Sequence, residues 1–403
     1  MKSAAVVKPV PRLPWSLRRV DERFVAGNRI RLLQDGRAAF PAMLEAIGQA
    51  REQVLLEMYW FDSNRIGRRF AEALLAALGR GVEVALIYDS VGSIGADPAM
   101  FAELSAAGAQ VLEFNPVAPW KRRFRLSRLT RRDHRKILVV DQTIGFTGGI
   151  NIGDQWLPEE EEGGGWRDDM VQVEGPAVHG FVRVFQSTWR RLGGATLRQL
   201  KGSPEAPASG RARAEGEAPS SGQKVRVLGE SQFKNHHTIS QAYLARIYGA
   251  ERRIWLANSY FVPDRSVIRA ICRAARRGVD VRILLPFESD VRVADWASRA
   301  VWSKLMKRGV RIFAWTRGIL HSKTAVIDGR WSTIGTFNLD HLSLRSNLEV
   351  NVSVLDEGFA ETMEAAFARD LAVAVEVDAR TFAYRPLVER FLQACAYRLR
   401  KFL

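Results

Sequence analysis

His134-Arg-Lys136 and His321-Ser-Lys323 are the residues of this chain best suited to do chemistry. Each opens the same pattern, His-x-Lys-x4-Asp, which closes at Asp141 and Asp328. Fourteen residues after each His stands a Gly (Gly148, Gly335), and seventeen after it an Asn (Asn151, Asn338). Two matched sets of imidazole, ammonium and amide suggest one site assembled from two halves. Residues two apart in a strand share a face, so each His and its Lys point the same way. Asp141 and Asp328 have the opposite parity. They belong to the motif but read as turn or structural carboxylates. The glycines let the backbone approach a ligand closely, and Asn151 and Asn338 offer amide hydrogens to an oxyanion.

The set suits attack on a phosphodiester, which resists nucleophiles because it is already anionic. Two Lys and two Asn would hold the non-bridging oxygens. One imidazole would attack phosphorus and form a phosphohistidine. The other would protonate the departing alkoxide and then activate an incoming alcohol. No metal and no cofactor is expected. Each imidazole needs a fixed tautomer, usually set by a carboxylate on its far nitrogen. Asp168 and Glu349 are the candidates, because each opens the last strand of its half. The symmetry of the motifs leaves open which His is the nucleophile. His179, His236, His237 and His341 read as surface or packing residues, with His236–His237 a further candidate for substrate contact.

These groups need a scaffold, and the chain writes it twice. QVLLEMYWF (53–61), IGRRFAEALLAALGRG and VEVALIYDS (82–90) predict strand, helix and strand in the first half. RIWLANSYF (253–261), VIRAICRAARRG and VDVRILLPF (279–287) repeat them in the second. Both helices end at a Gly. The fold class is therefore α/β: two similar domains with mostly parallel sheets, related by a pseudo-two-fold axis, with one active site at their interface. Residues 1–24 are expected to be a tail, 25–200 the first domain, 201–224 a disordered Pro/Gly/Ser/Ala-rich linker, and 225–403 the second domain.

A formal charge of +16 and a pI near 10.3 favour a polyanionic partner, nucleic acid or anionic lipid. Cys272 and Cys395 form no disulfide framework or zinc spacing, so a reducing compartment is expected. The prolines at 9, 11 and 14 and the missing apolar run argue against a signal peptide. No stretch approaches the ~18–20 apolar residues that span a bilayer. A lipid-active protein of this sequence would sit on the membrane. WKRRFRLSRLTRRDHRK (120–136) leads into the first motif and mixes Arg and Lys with Trp120, Phe124, Leu126 and Leu129. RFLQACAYRLRKFL (390–403) has the same character. Both suit an anionic lipid interface. Glu159–Glu162 with Gly163–Gly165 is expected to form a mobile acidic loop, and it disfavours nucleic acid near the site.

The doubled HxKxxxxD resembles the phospholipase D superfamily, over nearly the whole chain outside the tail and linker. GGINIGDQW, WRDDMVQVEGPAV, ANSYFVPD and GTFNLDHLSLRSNLEVNV are similar to the bacterial cardiolipin synthase branch of the type without N-terminal transmembrane helices. That resemblance implies a metal-free phosphatidyltransferase with a covalent phosphatidyl-histidine. His134 would be the nucleophile and His321 the general acid and base. The donor would be phosphatidylglycerol or a related phospholipid, the product cardiolipin, and the location the cytoplasmic side of the bacterial inner membrane, peripherally bound. The family often has Ser after the first turn Gly; Gly149 and Thr336 depart from that, so no hydroxyl role is assigned. Phospholipid hydrolysis, a superfamily nuclease and a non-catalytic basic scaffold are the alternatives. The oligomeric state is left open.

Overall fold

The computed structural model describes Leu17 and residues 23–121, 123–125, 130–200, 222–230 and 237–400. The first half runs β1 (Val25–Gln34), α1 (Asp35–Gln49), β2 (Gln53–Met58), α2 (Arg65–Gly79), β3 (Glu83–Asp89), α3 (Pro98–Ala106), β4 (Gln110–Phe114), β5 (Lys136–Val140), β6 (Ile144–Gly148), β7 (Asp169–Glu174) and α4 (Val178–Arg191). The second half repeats it: β8 (Gln223–Glu230), α5 (Thr238–Gly249), β9 (Arg253–Asn258), α6 (Arg265–Arg277), β10 (Asp280–Pro286), α7 (Arg292–Met306), β11 (Arg311–Trp315), β12 (Lys323–Ile327), β13 (Trp331–Gly335), the short α8 (His341–Arg345), β14 (Glu349–Leu355) and α9 (Glu357–Val373). A two-residue strand β15 (Val375–Glu376) and helices α10 (Ala379–Ala383) and α11 (Leu387–Arg398) follow.

All the strands join in one sheet, ordered β15-β11-β10-β9-β12-β13-β14-β8-β1-β7-β6-β5-β2-β3-β4. β8 and β1 meet antiparallel at its centre, Val25 opposite Val225, so the two halves share a seam. The α/β halves are as expected, but mostly parallel sheets are not. Among the described strands, parallel pairing is confined to β2–β3–β4 and β9–β10–β11, which are joined by helical crossovers. The motif strands β5 and β12 enter hairpins with β6 and β13 and run antiparallel to β2 and β9. A tight turn allows only that direction.

Strand parity sorts the core into layers. Leu138 and Val140 of β5 pack under α1, α2 and α3 with Phe40, Phe70 and Leu104. Ile137 and Val139 face the opposite layer, where α4 and α9 lie with Phe181, Phe185, Phe359 and Met363. That second layer draws on both halves, including Val173 from β7 and Val352 from β14, so the seam is a continuous core. Gly180 of α4 lets the helix press on β8; a Cβ there would lie 2.6 Å from that of Val227. The expected linker ends early, because β8 already starts at Gln223; residues 201–221 lie outside the described residues. Of the expected tail, Leu17 is buried in the second half's core.

Candidate active site

β5 begins where β2 ends, Lys136 opposite Met58, and β12 begins where β9 ends, Lys323 opposite Asn258. The residues just before β5 do not stay within their own half. His134 N donates to Leu348 O (3.0 Å), and Leu348 N to Arg132 O (2.9 Å). The other half reciprocates: His321 N donates to Arg167 O (2.8 Å), and Arg167 N to Ile319 O (3.0 Å). This crossed pairing sets Glu349 beside His134 and Asp168 beside His321. His134 Nδ1 lies 3.1 Å from Glu349 Oε2, and His321 Nδ1 lies 2.7 Å from Asp168 Oδ2. Each imidazole is therefore held by the carboxylate of the other half, and its Nε2 is left to face the site.

Burial pushes both imidazoles below their ordinary value. Lys136 adds to this for His134, and for His321, which falls furthest, both Lys323 and Lys136 do. Burial likewise raises Asp168 to about 6. It also pushes Glu349 up, but the His134 imidazole, the Thr336 hydroxyl and Lys136 outweigh it and hold Glu349 low. Lys136 and Lys323 are buried, and each Nζ donates back to the carbonyl of its own His. Desolvation first, then repulsion from Lys323, brings Lys136 down to about 7; desolvation brings Lys323 to about 8.

Asn151 Oδ1 accepts from Trp60 N (3.2 Å), and Asn338 Oδ1 accepts from Ser259 Oγ (2.8 Å). With the carbonyls engaged, the amide hydrogens are what each Asn can offer a ligand. Asp141 and Asp328 stand elsewhere. Asp141 accepts from the backbone of Arg51, Glu52 and Gln53, and Asp328 from that of Glu251, Arg252 and Arg253. Both adopt a left-handed backbone, φ 49° and 57°. They anchor the entries to β2 and β9 and do not reach the imidazoles. Among the described residues, no three His, Cys, Asp or Glu side chains group as metal ligands.

The chain matches the cardiolipin synthase, PLD-like domain family over residues 43–189 and 243–371. It belongs to that family. It is 34% identical over 364 residues to the cardiolipin synthase of Geobacillus sp. (strain WCH70), covering 90% of this chain and 70% of that protein. It is 35% identical over 357 residues to cardiolipin synthase A of Pseudomonas putida (strain W619), covering 88% and 70%. Its fold is similar to phosphatidylserine synthase of Haemophilus influenzae Rd KW20, with a TM-score of 0.71 at 12% identity over 94% of this chain and 97% of that one. Polyphosphate kinase from Porphyromonas gingivalis gives a TM-score of 0.55 at 14% identity, over 91% and 56%. These last two likenesses are of fold alone.

Within this family frame, several site residues escape sequence reasoning. Thr336 is one: its hydroxyl donates to Glu349 Oε2 and accepts from Val350 N (3.0 Å). Gly149 occupies the matching place in the first half, where a Cβ would lie 2.1 Å from Asp168 Oδ1. There Trp156 Nε1 holds the carboxylate instead (3.0 Å). Trp156 and Trp166 also flank the His321 ring, at 5.5 and 5.7 Å, and Tyr59 meets His134 edge-on at 4.9 Å. The buried arginines Arg135 and Arg167 form a further shell. Arg135 Nε donates to Glu349 O (3.2 Å), and Arg167 clamps Asp370 (2.7 Å) and Asp169 (2.9 Å) while donating to Asp168 O (2.6 Å).

The acidic stretch is a formed turn, closed by Gly163 N to Pro158 O and Gly165 N to Leu157 O (both 3.0 Å) and tied by Arg37 to Glu160 (2.8 Å). It walls a cleft of about 740 Å³ with Trp156, Trp166 and Arg369. Of the basic segment 120–136, Trp120 is exposed, while Arg122 and residues 126–129 lie outside the described residues, as does His236. His179 lies on α4, His237 precedes α5 and His341 opens α8.

Proposed function

We propose that this phosphatidyltransferase makes cardiolipin from phosphatidylglycerol, or a related phospholipid donor, through a phosphohistidine on His134. The observation that carries the reading is the crossed brace: two buried imidazoles, each held at Nδ1 by the other half's carboxylate, beside two buried lysines. His134 Nε2 attacks phosphorus, and the bond from phosphorus to the headgroup oxygen breaks. His321 gives its Nε2 proton to the leaving alkoxide. The negative charge of the bound diester favours that protonated state of His321. His321 then takes the proton of the acceptor hydroxyl, whose oxygen displaces His134. Lys136, Lys323, Asn151 and Asn338 hold the non-bridging oxygens throughout. Asp168 and Glu349 set the tautomers.

No helix among the described residues is long and apolar enough to cross a membrane. The enzyme works as a peripheral protein, at the cytoplasmic face. Incubation with radiolabelled phosphatidylglycerol vesicles, followed by acid quench and lipid analysis, tests the proposal. Label on His134 and cardiolipin as product are expected. Label on His321 would reverse the roles, and phosphatidic acid as the only product would make the protein a hydrolase. Cleavage of single-stranded DNA in a parallel reaction, without lipid turnover, would make it a nuclease.

A further inference from the structure

α11 is built inside out. A helix on a globular surface normally turns its apolar stripe inward. Here the face against α7 carries Gln393, fully buried and bonded to Glu389 (2.7 Å) and Arg385 (2.8 Å). The outward face carries Leu387, Val388 and Phe391, exposed at 76%, 71% and 67%. Tyr384 before the helix (88%) and Leu399 after it (53%) extend the same apolar surface. A contiguous exposed patch of this kind marks an interaction site.

The contacts of α11 fix where that surface leads. Phe382 stacks on Trp302 (5.4 Å), and Arg385 reaches Ser303 (3.4 Å). Ala396 packs instead with Ala297 and Val262. α11 therefore runs antiparallel to α7, and its C-terminal end approaches the start of α7. That start adjoins the active site: Asp290 accepts the Tyr260 hydroxyl (2.7 Å), and the Tyr260 ring lies 6.3 Å from His321. Phe287, Val291, Val293 and Trp296 are exposed there as well. The apolar ridge thus continues from Tyr384 to the mouth of the site. Residues 379–400 carry five arginines against one glutamate.

We infer that α10 and α11 form an interfacial anchor that lies in the headgroup region of an anionic bilayer and leads a diacyl substrate to the mouth. The inference rests on the proposed phospholipid chemistry. Continuity with the site and the excess of arginine favour a lipid surface over a protein partner. The test uses the full chain and the double variant V388E/F391E, whose side chains point outward and leave the packing on α7 intact. Sedimentation with phosphatidylglycerol vesicles is measured beside turnover of long-chain vesicles and of soluble short-chain phosphatidylglycerol. The variant is expected to lose vesicle binding and vesicle turnover by at least about tenfold while keeping short-chain turnover. Unchanged vesicle binding would overturn the anchor, as would equal loss on both substrates. A dimer split by the variant with vesicle binding unchanged would make the face a self-interface and overturn it too. A parent protein that turns over neither lipid would instead sink the phospholipid chemistry.

Discussion

Asp168→Asn probes the crossed brace directly. The Asp168 carboxylate accepts three hydrogen bonds in a dry setting: Oδ1 from Asp169 N (2.8 Å), and Oδ2 from Trp156 Nε1 (3.0 Å) and His321 Nδ1 (2.7 Å). Asparagine has one oxygen for these two places. If its oxygen stays on Asp169 N, its amide hydrogens face the Trp156 N–H and donate to His321 Nδ1. That moves the imidazole proton to Nε2 for good, and His321 can no longer act as a base there. Losing one charge-assisted hydrogen bond costs ~1.5–3 kcal/mol, on the order of 10 to 150-fold in rate. A locked wrong tautomer extends the loss towards ~10⁴-fold, as it does in a serine protease triad. Turnover of phosphatidylglycerol vesicles is therefore expected to fall on the order of 10²–10⁴-fold, with KM little changed. A nitrophenyl phosphodiester, whose leaving group needs no proton, separates the roles. Asp168→Asn should keep its nitrophenolate burst, because His134 still attacks. Glu349→Gln should lose it. Natural turnover within about threefold of the parent would refute the brace. The opposite burst pattern would exchange the two histidines.

Three further outcomes are expected. Asp141→Ala and Asp328→Ala each strand three backbone N–H groups and should lower stability by ~1–3 kcal/mol in denaturant melts, with kcat per folded molecule unchanged. A large kcat loss would bring these carboxylates back into the chemistry. Diester binding needs protonated lysines, so kcat/KM should fall as pH rises through the values of about 7 for Lys136 and about 8 for Lys323. Lys323→Met removes the like charge beside Lys136, raises the Lys136 pKa, and should shift the alkaline limb to higher pH at reduced maximal rate; a limb that does not move refutes the pairing. Gly149→Ala puts a Cβ 2.1 Å from Asp168 Oδ1. It should displace the carboxylate from His321 and reduce kcat on the order of 10 to 100-fold; full activity would contradict the geometry.

The doubled motif was legible because strand parity is local: His134 and Lys136, like His321 and Lys323, needed only their spacing to share a face. The same parity set Asp141 and Asp328 apart. The repeated strand–helix–strand pattern likewise carried the two α/β halves. What the sequence could not reveal was non-local. The crossing of the braces depends on His134 N meeting Leu348 O, residues more than two hundred positions apart. The direction of β5 and β12 was misread because a βαβ pattern upstream says nothing about the hairpins that follow it. Thr336 was invisible as a carboxylate holder because its counterpart is Gly149, and in that half Trp156 holds the Asp168 carboxylate from another direction. Arg135 and Arg167 look like ordinary basic residues until the structure buries them. The apolar residues of α11 have helical spacing whether they face a core or solvent, so spacing alone could not say which.

The burial of Lys136 and Lys323 bears on which esters the site should take. Burial depresses the charged form of both lysines, Lys323 depresses that of Lys136 further, and no described carboxylate bonds to either ammonium. A ligand carrying one negative charge relieves both groups at once. A neutral triester of the same shape brings its bulk and its hydrogen-bond acceptors but leaves the repulsion standing. A neutral triester is therefore expected to bind more weakly than an anionic diester of the same shape. Charge selection is therefore expected to precede headgroup recognition.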